Sequence, residues 1–207
     1  MLVNAKAFKA MFVIILLWPL QTFANKSNDL VNGAKNINTE INCAALDQPF
    51  INPNNLSAYL AEQPFILLGK AKFSVLFWDI YESALLTTDG QRPFEDTCQQ
   101  SLFEIEYLRD ISKKDLLDNT VSQWQHLSFK ESEYAVFLPL LERIWLDINA
   151  GDRLSMLTQE NKTLFYLNSK FIGEIDSATF AKTFLSIWID EGTSEPKLRL
   201  KLLGDNA

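Results

Sequence analysis

The sequence predicts an α+β domain built on a mainly antiparallel sheet, and three observations carry that reading. Strand-forming runs come in groups, helical periodicities come in adjacent pairs, and the two do not alternate one for one. A hydrophobic content of 47% supplies enough apolar side chains for a folded core.

Taken in order, "LSAYLAEQ" reads as a short helix before Pro64. "PFILLG" and "AKFSVLFWDIYESALL" are rich in strand formers. Alternation over Gly69 to Leu86 puts Phe73, Val75 and Phe77 on one face and Leu76, Trp78 and Ile80 on the other. A strand apolar on both faces belongs in the middle of a sheet. "SLFEIEYLRDI" alternates Phe103, Ile105 and Tyr107 against Leu102, Glu104, Glu106 and Leu108.

The period then changes. Ser112 with Asp115 resembles a capping box and opens a helix through "DLLDNTVSQWQHL", with His126 closing a helix face. A second helix is expected in "YAVFLPLLERIWLDIN", where Phe137, Leu141, Ile144 and Ile148 form one stripe and Pro139 sits in the first turns. From Arg153 the runs "RLSMLT", "TLFYLN" and "FIGEI" suggest a three-stranded meander, its second turn at "SK". Asp176 is a suitable N-cap for "SATFAKTFLSIWI", whose Phe180, Phe184, Ile187 and Trp188 share a face. Pro196 opens a last helix, "KLRLKLLG", that Gly204 stops.

The start of the chain has the order of a secretory signal. Lys6 and Lys9 precede the apolar run Met11 to Leu20, and Thr22 and Ala24 stand at the small-residue cleavage positions. Cleavage after Ala24 and a periplasmic or secreted location are expected. The apolar run is too short, and contains Pro19, for a stable membrane span. The remaining chain divides into an Asn-rich N-terminal arm, residues 25–64, and a folded domain, residues 65–207. Without Lys6 and Lys9 it carries 17 basic against 26 acidic residues, a net charge of −9. Such a surface repels phosphates, which disfavours nucleic acid as a partner.

Cys43 and Cys98 are the only cysteines, and export with an even count favours a bridge between them. Two separate small core residues are the alternative. With one histidine, His126, and no Cys or His pair at ligand spacing, no metal site, no cofactor and no His-dependent triad are expected.

The landmarks in sequence order resemble the chalcone isomerase-like domain in its bacterial exported, non-catalytic form. "LLGKAKFSVLFWDIYESALL" resembles the opening strand pair of that family, with "IYESAL" as its "VY-x-x-x-L" element. "IEYLRDISKKDL", "GD" at Gly151 and Asp152, "FYLNSKFIGEI", "FAKTFLSIWIDEG" and "LRLKLLG" resemble the later landmarks. The resemblance implies an open-faced β-sandwich: an antiparallel sheet with helices packed on one face and a ligand cleft between them. It implies that plant enzymes of the family close a ring through an enone, with an arginine stabilising the developing negative charge, and that non-catalytic relatives bind fatty acids.

That arginine is expected four residues after the opening glycine, a position held here by Phe73. Lys72 is one residue off and so points to the other face. Tyr81 and Tyr107 can offer phenol hydroxyls, with core-edge packing as the plainer reading of each. Phe73, Phe77, Tyr81, Tyr107, Phe180, Phe184 and Trp188 are the candidate pocket lining. The expectation is a non-catalytic exported protein that takes an apolar or amphipathic small molecule. An isomerase or lyase acting on an enone, and a protein-interaction module in the periplasm, are the alternatives.

Overall fold

The computed structural model describes residues 54–95, 98–159 and 161–205. The expected leader, the expected cleavage site after Ala24, most of the Asn-rich arm and Cys43 lie outside the described residues. Six strands form one sheet in simple sequence order, each antiparallel to the next: β1 (Ile66–Val75), β2 (Trp78–Thr87), β3 (Ser101–Tyr107), β4 (Arg153–Gln159), β5 (Lys162–Leu167) and β6 (Lys170–Asp176).

The apolar run Gly69 to Leu86 is a hairpin, not a central strand. It breaks at Leu76 and Phe77, with Val75 paired to Trp78 and Leu76 in the left-handed region at φ 54°. β1 is one edge of the sheet, with β6 at the other. Leu and Phe replace the Gly or Asn that normally marks such a turn, so sequence pattern alone reads straight through it.

Residues of alternate parity separate the two faces. On the inner face Leu85, Phe103, Ile105, Leu154, Met156, Phe165 and Ile175 join a large core with the helices. Five helices contribute here: α2 (Lys113–His126), α3 (Glu131–Tyr134), α4 (Leu138–Ile144), α5 (Phe180–Ile189) and α6 (Pro196–Leu202). α6 lies against β1 and β2, α5 against β5, α4 against β6, and α2 packs on α4 and α5. The Trp124 indole N–H donates to the Thr183 carbonyl at 2.7 Å, fixing α2 to α5.

The predicted caps hold at α2, where Ser112 Oγ accepts from the Asp115 N–H at 3.1 Å, and at α6, which Gly204 ends at φ 73°. Three boundaries move. The helix expected over 134–149 is a short α3, a 3-10 turn (Ala135–Phe137) and α4, after which Ile148 pairs with Ile111 as an isolated bridge. Asp176 ends β6 and is not the cap of α5, which follows Thr179. The last hairpin turns at Asn168 and Ser169, both at positive φ, one residue before "SK".

Two features position the sheet edge and its outer face. A Cβ at Gly69 would fall 1.9 Å from the Lys201 carbonyl oxygen, so only glycine lets α6 approach β1 this closely. The helix expected in the arm forms as α1 (Leu56–Glu62) and is built into the domain, capped by Asn55. It packs across the outer face, where Leu56 and Tyr59 join Leu102, Leu157, Leu164 and Tyr166 in a second, smaller core. Among the described residues, five helices therefore pack on the inner face, and one short helix covers part of the outer one.

Candidate functional site

Strand alternation decides which candidate residues meet. Phe73 pairs with Tyr81 across β1 and β2, and Tyr81 with Tyr107 across β2 and β3, so these rings form a row on the inner face. Their centroids lie 5.2 Å apart for Phe73–Tyr81 and 6.1 Å for Tyr81–Tyr107. α5 closes the row from above. The Trp188 indole N–H donates to the Tyr81 hydroxyl oxygen at 3.0 Å. The same indole lies 4.7 Å from Phe103, a member of the cluster that sequence reading left out although its alternation put it on this face.

Phe184 and Phe180 lie one and two turns before Trp188 on α5. They stack at 5.5 Å and meet Phe165, Trp145 and Phe137, so they belong to the central core. Phe184 joins the two regions through an edge contact with Trp188 at 5.4 Å. Phe77 joins neither. It is 95% exposed at the hairpin tip, because the turn at Leu76 carries it off the sheet.

The electrostatics of the Phe73–Tyr81–Tyr107–Trp188 cluster disfavour negative charge. Burial pushes the Tyr81 and Tyr107 phenols well above their ordinary range. The charge of Glu195, just before α6, raises Tyr81 further, and partial burial raises Glu195 itself. Lys72, the nearest cation in sequence, does point away. Its ammonium pairs with Asp79 and Glu82, each at 3.0 Å, beside the outer face. Trp188 occupies an acceptor site on the Tyr81 oxygen, which leaves the Tyr81 O–H free to donate to a neutral or weakly polar acceptor.

The uncovered part of the outer face has a different character. An open trough of about 450 Å³ lies over β1 to β4, bounded by Lys70, Lys72, Glu82, Glu104, Glu106 and Arg153. Its charges largely satisfy one another: Arg153 Nη2 reaches Glu106 at 2.7 Å, and Glu104 accepts from Ser155 Oγ at 3.1 Å. Beside it, Tyr59 of α1 donates to Gln100 and accepts from Gln159 Nε2 at 3.1 Å, which ties the helix to the ends of β3 and β4.

The start of β4 shows what the "GD" pair does in this chain. Gly151 sits at φ 92°, and the Asp152 carboxylate accepts from Asn168 Nδ2 at 2.7 Å and from the Asn149 N–H at 2.8 Å. Those hydrogen bonds, that of Asn168 foremost, hold the Asp152 carboxyl below its usual range. The pair is a structural clamp on the β4 and β5 ends. Cys98 is disulfide-bonded. No group of three His, Cys, Asp or Glu side chains among the described residues is arranged to hold a metal ion.

The chalcone isomerase-like family model matches residues 54–204. The chain belongs to the chalcone isomerase-like family. A fatty-acid binding protein of Arabidopsis thaliana has a similar crystal structure, with a TM-score of 0.53 at 12% identity over 68% of this chain and 87% of that one. At that identity the likeness concerns the fold. No curated protein matches the chain. The family match begins at Asn54 and so takes in α1, in agreement with the packing of that helix on the sheet.

Proposed function

We propose that the protein is an exported, non-catalytic member of the family that binds an apolar or amphipathic small molecule such as a fatty acid. The observation that carries this reading is the inner aromatic cluster. Phe73 stands at the position expected for the arginine, its ring lies against Tyr81, and both phenols of the cluster are pushed toward neutrality. Ring closure through an enone develops negative charge, and losing one preorganised donor to such a charge typically costs about 10²–10³ in rate. Among the described residues no cation acts on Tyr81, and Glu195 acts on it with the wrong sign for that chemistry.

The same surroundings suit a neutral guest. Phe73, Tyr81 and Trp188 are only partly buried and pack against the edge of the large core, so a chain-like ligand parts fewer contacts there than at the fully buried centre. The free Tyr81 O–H supplies one polar anchor for a carbonyl, a hydroxyl or a protonated carboxyl. The fatty-acid binding relative and the family fold support the ligand class. The leader of residues 1–24 and the disulfide at Cys98 support export to an oxidising compartment.

Native mass spectrometry of the protein purified from its own compartment tests the reading. A co-purifying lipid mass that disappears in Trp188→Ala is the expected result. A clean unliganded mass, together with no binding of a fluorescent fatty acid at micromolar concentration, would reject it. Turnover of an enone substrate that is lost in Tyr81→Phe would establish the isomerase alternative instead.

A further inference from the structure

The β1–β2 hairpin ends in an apolar projection that the ligand reading does not use. Leu76 and Phe77 form the two-residue turn, and they are 73% and 95% exposed. Trp78 follows at 52% exposure, with the Arg109 guanidinium 4.1 Å above its ring. Arg109 Nε also donates to the Asp79 carbonyl at 3.2 Å, so the cation is fixed against the base of the tip. A polar belt lies directly below, where Asp79 accepts from Ser74 Oγ at 2.6 Å and pairs with Lys72 at 3.0 Å.

The backbone makes the choice of residues informative. At positive φ, glycine fits the first turn position freely, whereas leucine carries a steric cost. The chain thus places the most exposed phenylalanine among the described residues beside a leucine in a conformation that favours glycine. The layering from the end inward is aliphatic and aromatic tip, tryptophan collar with a fixed cation, then a polar belt. Tryptophan and arginine at such a boundary match the interface of a lipid bilayer, where an amphipathic ring sits at headgroup level.

Size selects the occupant. These three side chains offer roughly 400 Å² between them, since even a fully buried aromatic residue contributes only ~150–250 Å². A stable protein partner needs about 800 Å² per side. Shallow insertion into a lipid interface needs far less and gives weak, reversible attachment.

We infer that the Leu76–Phe77–Trp78 tip is a lipid-interface anchor, inserting its first two side chains among the acyl chains of a bilayer while Trp78 and Arg109 lie at the headgroups. The inference rests on the tip alone and stands whether or not the inner cluster binds a ligand. The net charge of −9 left without the leader lysines means that attachment is driven by apolar contact and opposed by anionic lipid.

The test uses the full chain with vesicles of phosphatidylcholine carrying a photoactivatable acyl chain, followed by peptide mapping of the lipid adducts. Adducts on Met11 to Leu20 are scored separately, because that apolar run can label by itself. Adducts are expected at Leu76–Trp78. The double variant Leu76→Gly with Phe77→Ser gives the turn a residue it prefers, so it should fold as well as the parent and lose at least about tenfold of this label. Replacing part of the phosphatidylcholine with anionic lipid should lower the label. Equal labelling at the exposed Val136 and Leu146, label on the tip unchanged by the double variant, or label that rises with anionic lipid would each overturn the inference.

Discussion

The two faces of the sheet are made by the same strands, yet they are finished in opposite ways. The inner face alternates toward Phe103, Met156 and Phe165, and five helices seal it with an aromatic core. The outer face alternates toward Leu102 and Leu157 at one end and toward Glu104, Glu106 and Arg153 at the other, and among the described residues only α1 covers the apolar end. Stability should therefore concentrate on the inner face and tolerance of substitution on the outer. What the contrast teaches is that a strand reading of one residue in, one residue out predicts composition well, while the degree of cover depends on elements far away in sequence.

The sharpest way to break the contrast is at Gly69. A methyl group there meets backbone rather than a side chain that can rotate away, so Gly69→Ala should displace α6 and cost more than about 4 kcal/mol in urea denaturation, if the protein folds at all. Phe165→Ala should cost about 3–5 kcal/mol, because the ring is fully buried and touches Trp145, Phe180 and Phe184. Leu56→Ala probes the outer face, where the buried side chain holds α1 to the sheet, and should cost about 2–3 kcal/mol. If Leu56→Ala proved as damaging as Gly69→Ala, the ranking of the two faces would be wrong.

Smaller effects sharpen the picture. Arg153→Met breaks an ion pair whose partners are both about half exposed, so it should change stability by under about 1 kcal/mol, and less in high salt. Glu195 provides a pH signature on the inner side. Its carboxyl is raised by burial, so the folded state prefers the protonated form. Its unfavourable effect is absent below the unfolded carboxyl range and grows as pH rises through the raised folded value. Glu195→Gln should accordingly raise the melting temperature slightly at pH 7 and leave it unchanged near pH 3. A shift of equal size at both pH values would assign the effect to packing instead.

Much of this arrangement was legible in the residues. The period of two in "SLFEIEY" and "TLFYLN", the cap at Ser112, Pro196 and the stop at Gly204 each encode a local preference, and the structure follows them. The hairpin at Leu76 was not legible, because its turn is written in apolar residues that carry no turn signal. The failure extended to Phe77, which the straight-strand reading had placed beside Phe73. The end of α4 at Ile144 was missed because Ile148 continues the helical stripe, whereas its backbone is spent on pairing with Ile111. At the candidate site, the meeting of Phe73, Tyr81 and Tyr107 follows from alternation once the register is known. The arrival of Trp188 and Glu195 over the same rings depends on how α5 and α6 dock, which no local pattern specifies.

The ordering of strands in the sheet has a kinetic consequence. Every neighbouring pair is also consecutive in the chain, and most pairs are joined by short connections. β2 and β3 are joined by the longer stretch 88–100, and the longest connection, β3 to β4, carries α2, α3 and α4. The β4–β5–β6 meander can zip locally, as can the β1–β2 hairpin with β3, but the seam between β3 and β4 closes across the longest gap. Two halves should thus form early and join late. The amides donated across Phe103–Met156 and Ile105–Leu154, deep under the helices, would then be the last to gain protection during refolding and among the slowest to exchange afterwards.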